Sequence, residues 1–172
     1  YGKEVRGAVG TLMTNFAIEK AFQDLGVPFE RAAVGDRYVL EKLKQHDWMM
    51  GGESSGHLIF LDKHTTGDGI VAALQVLATI RRSGKGIRER LSDVQMYPQI
   101  LLNVRYKKSY DWQNDQNLQQ VQRDVVQDLG SDGRVLVRAS GTEPVLRVMV
   151  EAKKLEMAKY LAEKIAQKIP VD

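Results

Sequence analysis

Residues 8–36, AVGTLMTNFAIEKAFQDLGVPFERAAVGD, carry the reading that decides the fold. Ala8 to Met13 is a short apolar run ending at Thr14 and Asn15, both good helix caps, and Ile18, Ala21, Phe22 and Leu25 then recur at helical spacing. Gly26 closes that helix, Val27 to Val34 returns as a strand, and Gly35-Asp36 offers a turn and an N-cap before Val39, Leu40 and Leu43 mark a second helix. Strand, helix, strand, helix in such short steps is a βαβ rhythm, which calls for an α/β layer with parallel strands.

Downstream, Trp48-Met49-Met50 leads into the loop Gly51-Gly52-Glu53-Ser54-Ser55-Gly56-His57, and Leu58 to Leu61 leaves it as a buried strand, so that a hairpin presents the loop at its end. Thr65-Thr66-Gly67-Asp68 starts a helix that is apolar on most sides from Ile70 to Ile80 and should be covered on several faces. Gly84 and Gly86 end it. Around Met96-Tyr97-Pro98 the pattern changes. Ile100 to Tyr106 reads as a strand, Leu118, Val121, Val125 and Leu129 as a helical stripe, Arg134 to Arg138 and Val145 to Glu151 as two strands, and Leu155 to Ile169 as a final helix. Strand, helix, strand, strand, helix is an α+β arrangement with helices on one face of a mainly antiparallel sheet. The expected division is therefore residues 1–97, α/β with a mixed sheet, and residues 98–172, α+β with two helices.

Composition narrows the function. The chain has 172 residues, 43% hydrophobic and 27% charged, enough for one domain or two small ones with packed cores. Its net charge is +3, spread evenly: 13 basic and 12 acidic residues in 1–97, 12 and 10 in 98–172. Without a basic arm or stripe, a nucleic-acid or membrane partner is not expected. The absence of cysteine removes disulfides, thiolate metal sites and a Cys nucleophile, and fits a reducing compartment. The apolar stretch Ile70–Ile80 is too short to span a bilayer, which takes roughly 20 residues.

Two loops could carry chemistry. Arg138-Ala139-Ser140-Gly141-Thr142-Glu143-Pro144 joins two strands and holds a guanidinium, two hydroxyls and a glycine within five positions. An Arg fork grips two phosphate oxygens, hydroxyls donate, and Gly141 would let successive N–H groups turn toward one anion. A plain β-hairpin turn is the competing reading, since Ser, Gly, Thr and Pro are turn formers. Arg147 on the following strand could help neutralise a dianion, or serve as a cross-strand partner for a carboxylate such as Glu151. The second loop sets Glu53, an acceptor, beside Ser55 and His57, which both donate and accept, a set suited to sugar hydroxyls. His57 could also act as a general acid or base, or simply bond to backbone. A metal site with Glu53 lacks the further ligands it needs, since the nearby His64 completes no recognised spacing. Gly35-Asp36-Arg37 is a weaker third site, with Asp36 expected as N-cap and Arg37 as a solvated cation or anion contact. His46 reads as a surface residue.

Taken in order, Gly10-Thr11-Leu12-Met13-Thr14-Asn15, Val34-Gly35-Asp36-Arg37-Tyr38-Val39, Glu53-Ser54-Ser55-Gly56-His57, Thr66-Gly67-Asp68-Gly69 and Arg138-Ala139-Ser140-Gly141-Thr142-Glu143-Pro144 resemble the α-D-phosphohexomutase family, and its bacterial branch acting on glucosamine phosphates. The resemblance covers nearly the whole chain and implies part of the family's third domain in 1–97 and its complete C-terminal domain, the fourth, in 98–172. It implies sugar binding by Glu53, Ser55 and His57, phosphate binding by Arg138, Ser140, Gly141 and Thr142, and a further active-site segment at Gly35, Asp36 and Arg37. The implied reaction interconverts glucosamine 6-phosphate and glucosamine 1-phosphate through a phosphoserine and a sugar bisphosphate, with Mg²⁺ in the complete enzyme. The serine loop and the Mg²⁺-binding Asp-x-Asp-x-Asp loop have no counterpart here, so no metal site is expected and the chain alone should be inactive. The expected partner is a phosphorylated hexosamine and the expected location cytoplasmic, with oligomeric state open and a homodimer one expectation for the longer protein. Tyr97-Pro98-Gln99 is expected as a hinge. The alternatives are another phosphohexomutase, acting on glucose or mannose phosphates, or a non-catalytic module binding phosphate or nucleic acid through Arg138, Arg147, Lys153 and Lys154.

Overall fold

Asn15 fixes where the first helix begins: its side chain accepts a hydrogen bond from the Ala17 N–H at 3.0 Å, satisfying a donor that the first turn leaves open. The computed structural model describes residues 5–107, 109–141 and 143–171, and its contacts divide the chain into two units, Tyr1–Met96 and Tyr97–Asp172.

The first unit runs β1 (Ala8–Thr11), α1 (Phe16–Asp24), β2 (Phe29–Ala32), α2 (Asp36–His46), β3 (Met50–Gly52), β4 (Leu58–Phe60), α3 (Gly69–Ser83) and the short α4 (Ile87–Arg90). The sheet order is β2-β1-β3-β4. β1 pairs in parallel with β2 and β3, and β4 returns antiparallel to β3. The α/β expectation with a mixed sheet therefore holds. Side chains alternate across the sheet: Val9, Ala32 and Ile59 pack with Val39 and Leu43 of α2. Gly51 faces the same way, and a Cβ there would come within 2.7 Å of Val39 Cγ1 and 2.8 Å of the Val9 carbonyl oxygen, so only glycine lets α2 lie this close.

Two local expectations are corrected. Asp36 is not the N-cap of α2; Gly35 holds that place with φ 130°, outside the comfortable range of other residues, and Asp36 is the first helical residue. The helix over 70–80 is not covered on several faces. In α3 only Ala72 is buried, and Ile70, Leu74 and Leu77 are 75%, 56% and 59% exposed. Its ends do follow the sequence, with the Asp68 carboxylate accepting from the Ile70 and Val71 N–H groups and Gly84 ending it at φ 65°.

The second unit runs β5 (Gln99–Arg105), α5 (Gln116–Leu129), β6 (Gly133–Ala139), β7 (Val145–Ala152) and α6 (Leu155–Ala166), with the antiparallel order β5-β7-β6. Leu146, Val148, Val150 and Ala152 of the central strand face the stripe Leu118, Val121, Val125 and Leu129 of α5 and Leu161 and Ile165 of α6. The other face of β7 carries Arg147, Met149 and Glu151. This is the α+β arrangement with two helices that the sequence leads one to expect. Among the described residues, no helix is long and apolar enough to cross a membrane.

Candidate functional site

The hairpin between β3 and β4 is closed by the Glu53 N–H donating to the His57 carbonyl at 2.9 Å and the Gly56 N–H donating to the Glu53 carbonyl at 3.1 Å. Gly56 sits at φ 96°, a conformation this turn requires and glycine supplies. The turn projects Ser55 and His57, whose Oγ and Nδ1 lie 3.1 Å apart. Glu53 Oε2 is 3.8 Å from the same Nδ1. With Nδ1 facing the loop's own groups, Nε2 of the largely exposed ring is the atom placed to meet a ligand or a proton.

Glu53 is more constrained than its sequence suggests. Its side chain is only 11% exposed, and Oε1 accepts a hydrogen bond from the Gly35 N–H at 2.8 Å. The carboxylate thus ties the loop after β3 to the segment between β2 and α2, and Oε2 is the oxygen left for a ligand. This contact brings Gly35 beside Glu53. Asp36 Oδ1 accepts from the Arg37 N–H at 2.7 Å, while Arg37 itself is 80% exposed and pairs with Glu41 along α2 at 2.9 Å. All these groups follow the carboxyl ends of the parallel strands, where open α/β sheets place their ligands.

Sequence reasoning missed Arg31. From β2 it donates to the carbonyls of Thr11, at 2.9 Å, and Thr14, at 2.6 Å, and pairs with Glu19 of α1 at 2.8 Å. The turn after β1 is therefore pinned from below, and Thr14 Oγ1 accepts from the Thr11 N–H at 2.8 Å to complete it. Thr14 and Asn15 line one groove with Glu53 and Ser54. An arginine inside a four-residue strand carries no spacing signal; only the strand pairing shows what it reaches. His46 stands at the surface as expected and meets Glu30 at 3.0 Å, and His64 folds back on Thr66.

In the second unit the loop after β6 is held at its neck by the Ser140 N–H donating to the Val145 carbonyl at 2.9 Å. Thr142 lies outside the described residues. Gly141 is not at positive φ, and among the described residues a Cβ there would meet no atom within 4 Å, so none of them requires glycine at this position. The strand register sets Arg138 directly opposite Arg147, with Asn103 on the latter's other side. Arg147 Nη2 is 3.4 Å from Ser140 Oγ, and its Nε is buried without a hydrogen-bond partner among the described residues. The suggested partnership of Arg147 with Glu151 is wrong. Four residues along one strand are about 13 Å apart, and the fully buried Glu151 carboxylate pairs with Arg134 at 2.7 Å. Two guanidiniums facing each other across a ladder repel, which makes this neck a place where an anion is favoured. Lys153, by contrast, is engaged by Asp132 at 2.6 Å.

Family models match both units. Residues 2–97 match the phosphoglucomutase/phosphomannomutase alpha/beta/alpha domain III and residues 101–168 match the phosphoglucomutase/phosphomannomutase C-terminal domain. The chain belongs to the phosphoglucomutase/phosphomannomutase family. Among family members, the phosphoglucosamine mutase of Cupriavidus metallidurans is 59% identical over 165 residues, 96% of this chain and 37% of that protein. The chain thus spans little more than a third of the length of such relatives. Two structures of the Aspergillus fumigatus N-acetylphosphoglucosamine mutase share the fold. One, in complex with GlcNAc-6P and magnesium, aligns with TM-score 0.75 at 22% identity over 94% of this chain and 40% of that one. The other, a variant in complex with glucose 1,6-bisphosphate, aligns with TM-score 0.74 at 23% identity over 94% and 37%. Among the described residues of this family member, no group of three or more His, Asp or Glu side chains could hold a metal ion, so no step through magnesium is assigned to them.

Proposed function

We propose that this chain supplies sugar and phosphate recognition to a phosphoglucosamine mutase, an enzyme that interconverts glucosamine 6-phosphate and glucosamine 1-phosphate. The observation that carries this reading is the pair Arg138 and Arg147, set face to face at the neck of a loop whose Ser140 hydroxyl is within reach of one of them. A phosphate dianion placed there replaces repulsion with charge-assisted hydrogen bonds from two guanidiniums. The open space around Gly141 lets an oxygen approach the backbone, and the sequence offers Thr142, outside the described residues, as a further hydroxyl.

Glu53, Ser55 and His57 are assigned to the sugar hydroxyls, with Glu53 Oε2 accepting, Ser55 donating or accepting, and His57 Nε2 available as acid or base. The Glu53 contact to the Gly35 N–H keeps that carboxylate in place and with it the Gly35–Arg37 segment. In the complete enzyme, phosphoserine donates its phosphoryl group to the sugar oxygen that bears none, giving a bisphosphate, and the other phosphate then returns to serine. Catalysis of this kind rests on positioning and charge stabilisation, and the residues described here hold the phosphate that is not being transferred and read the ring in either orientation. Magnesium belongs to the portion of the enzyme outside this chain. A reaction between charged metabolites, in a chain without cysteine, fits the cytoplasm.

Titration of the chain with glucosamine 6-phosphate tests the assignment. Amide signals of Ser140, Gly141 and Glu143 should shift in the millimolar range, Arg138→Ala should abolish the shift, and Gly141→Ala should weaken binding without loss of stability. A folded chain whose loop signals stay fixed, or whose response survives Arg138→Ala, would overturn it.

A further inference from the structure

Strand β5 ends beside the loop after β6, on the flank away from β6 itself. The Tyr106 N–H donates to the Pro144 carbonyl at 3.2 Å, and the register sets Arg105 across from Val145, where β7 leaves the loop. Side chains alternate along a strand, so Arg105 shares a sheet face with the row Asn103, Arg147 and Arg138. Arg105 and Arg147 are diagonal neighbours on that face, positions that lie about 7–8 Å apart. Tyr106 packs on the second core and meets the Tyr110 ring edge-on at 6.3 Å between centroids, so the end of β5 gives Arg105 a fixed base.

The fold makes no use of this guanidinium. Arg105 is exposed, and among the described residues no carboxylate pairs with it. Arg134, on the same face, is committed to Glu151 at 2.7 Å. Glu143, inside the loop, is exposed as well and pairs with no cation among the described residues. Arg138 and Arg147 therefore bring two positive charges to the loop and Glu143 takes one away, while a phosphate group carries roughly 1.5 to 2 negative charges at neutral pH. A further cation is needed to match it, and Arg105 stands on the flank where the first two arginines do not.

We propose that Arg105 is a third phosphate-binding residue of this loop. It meets the anion from the β5 side, while Arg138 and Arg147 meet it from the neck. The diagonal spacing is within the length of an arginine side chain, and the planar fork suits two phosphate oxygens. This role rests on the assignment of the loop to phosphate and adds to it a residue that lies 33 positions before Arg138 in the chain.

Inorganic phosphate is the probe, because it isolates the anion from the sugar. Its affinity for residues 1–172 is read from the amide signals of Ser140 and Gly141 at constant ionic strength. Arg105→Ala should weaken binding about fivefold, the effect of one charge acting on a dianion through largely solvated surroundings. Arg105→Lys should recover most of that loss. Arg123→Ala removes the same charge from the exposed side of α5 and should bind as the parent does. In a Glu143→Gln background, Arg105→Ala should still weaken binding; loss of its effect there would mean that Arg105 only offsets Glu143, and would overturn a binding role. Parent-like affinity in Arg105→Ala, or equal weakening by Arg123→Ala, would overturn it too, with the loop's own assignment left standing. Parent signals that ignore phosphate would remove both that assignment and the part of Arg105 in it.

Discussion

Arg134 and Arg147 lie on adjacent strands of one small sheet and have opposite electrostatic settings. Arg134, 13% exposed, neutralises a Glu151 carboxylate that is fully buried, so Arg134→Ala strands a buried charge and should cost about 3 kcal/mol. Arg147 faces Arg138, and its removal relieves a repulsion while losing some packing. Arg147→Ala should therefore stay within about 0.5 kcal/mol of the parent in the absence of anion. Added phosphate reverses the comparison: it should raise the melting temperature of the parent and of a conservatively changed Arg134→Lys protein, and leave Arg147→Ala unmoved. Thermal melts with and without phosphate read both effects. Equal destabilisation by the two alanine substitutions would mean that the neck of the loop is a structural pair rather than a binding site.

At the scale of elements, the start of α5 shows how a cap can tie a loop to a core. Asp115 accepts from the Asn117 and Leu118 N–H groups and from the Tyr110 hydroxyl at 2.6 Å. The tyrosine hydrogen bond, with the capped N–H groups, holds the Asp115 carboxyl below its usual range, and burial together with Asp115 pushes the Tyr110 phenol up. The signs give two limbs. The contribution of Asp115 is present above about pH 4 and is lost as pH falls through its lowered folded value; that of Tyr110 is present below about pH 10 and is lost as pH rises beyond it. Tyr110→Phe should remove the alkaline limb, flatten the acid one, and cost about 1 kcal/mol at neutral pH. Urea unfolding between pH 9 and 11 checks this, and parallel curves for parent and variant would refute it. The caps at Asn15, Asp68 and the helix-ending glycines were legible because they act on residues two to four positions away. Asp36 misled because a glycine at φ 130° starts α2 one residue earlier. Glu151 misled because it lies on the same strand as Arg147, four residues on and out of reach, while the register sets it opposite Arg134 of β6. For α3, the apolar pattern was legible but its burial was not, because composition reports what a helix is able to bury and not what it meets.

At the scale of the whole molecule, the chain holds two cores of unequal strength. Among the described residues, the core cluster of the second unit holds thirteen buried apolar residues between a sheet with seven- and eight-residue strands on β5, β6 and β7 and two amphipathic helices. Among the described residues, the core cluster of the first holds five buried apolar residues, with strands of three or four residues and a third helix with one buried side chain. Burial of apolar area is the main favourable term in folding, so the first unit should unfold first. The sequence provides a reporter in each: Trp48 packs against the first core and Trp112 against the second. In urea, Trp112→Phe leaves fluorescence from Trp48 and Trp48→Phe leaves it from Trp112. With roughly 1–2 kcal/mol between the units and a slope of about 1–2 kcal/mol per molar for units of this size, the Trp48 midpoint should lie about 1 M lower. Coincident midpoints would show that the two cores unfold as one cooperative system despite their separate packing.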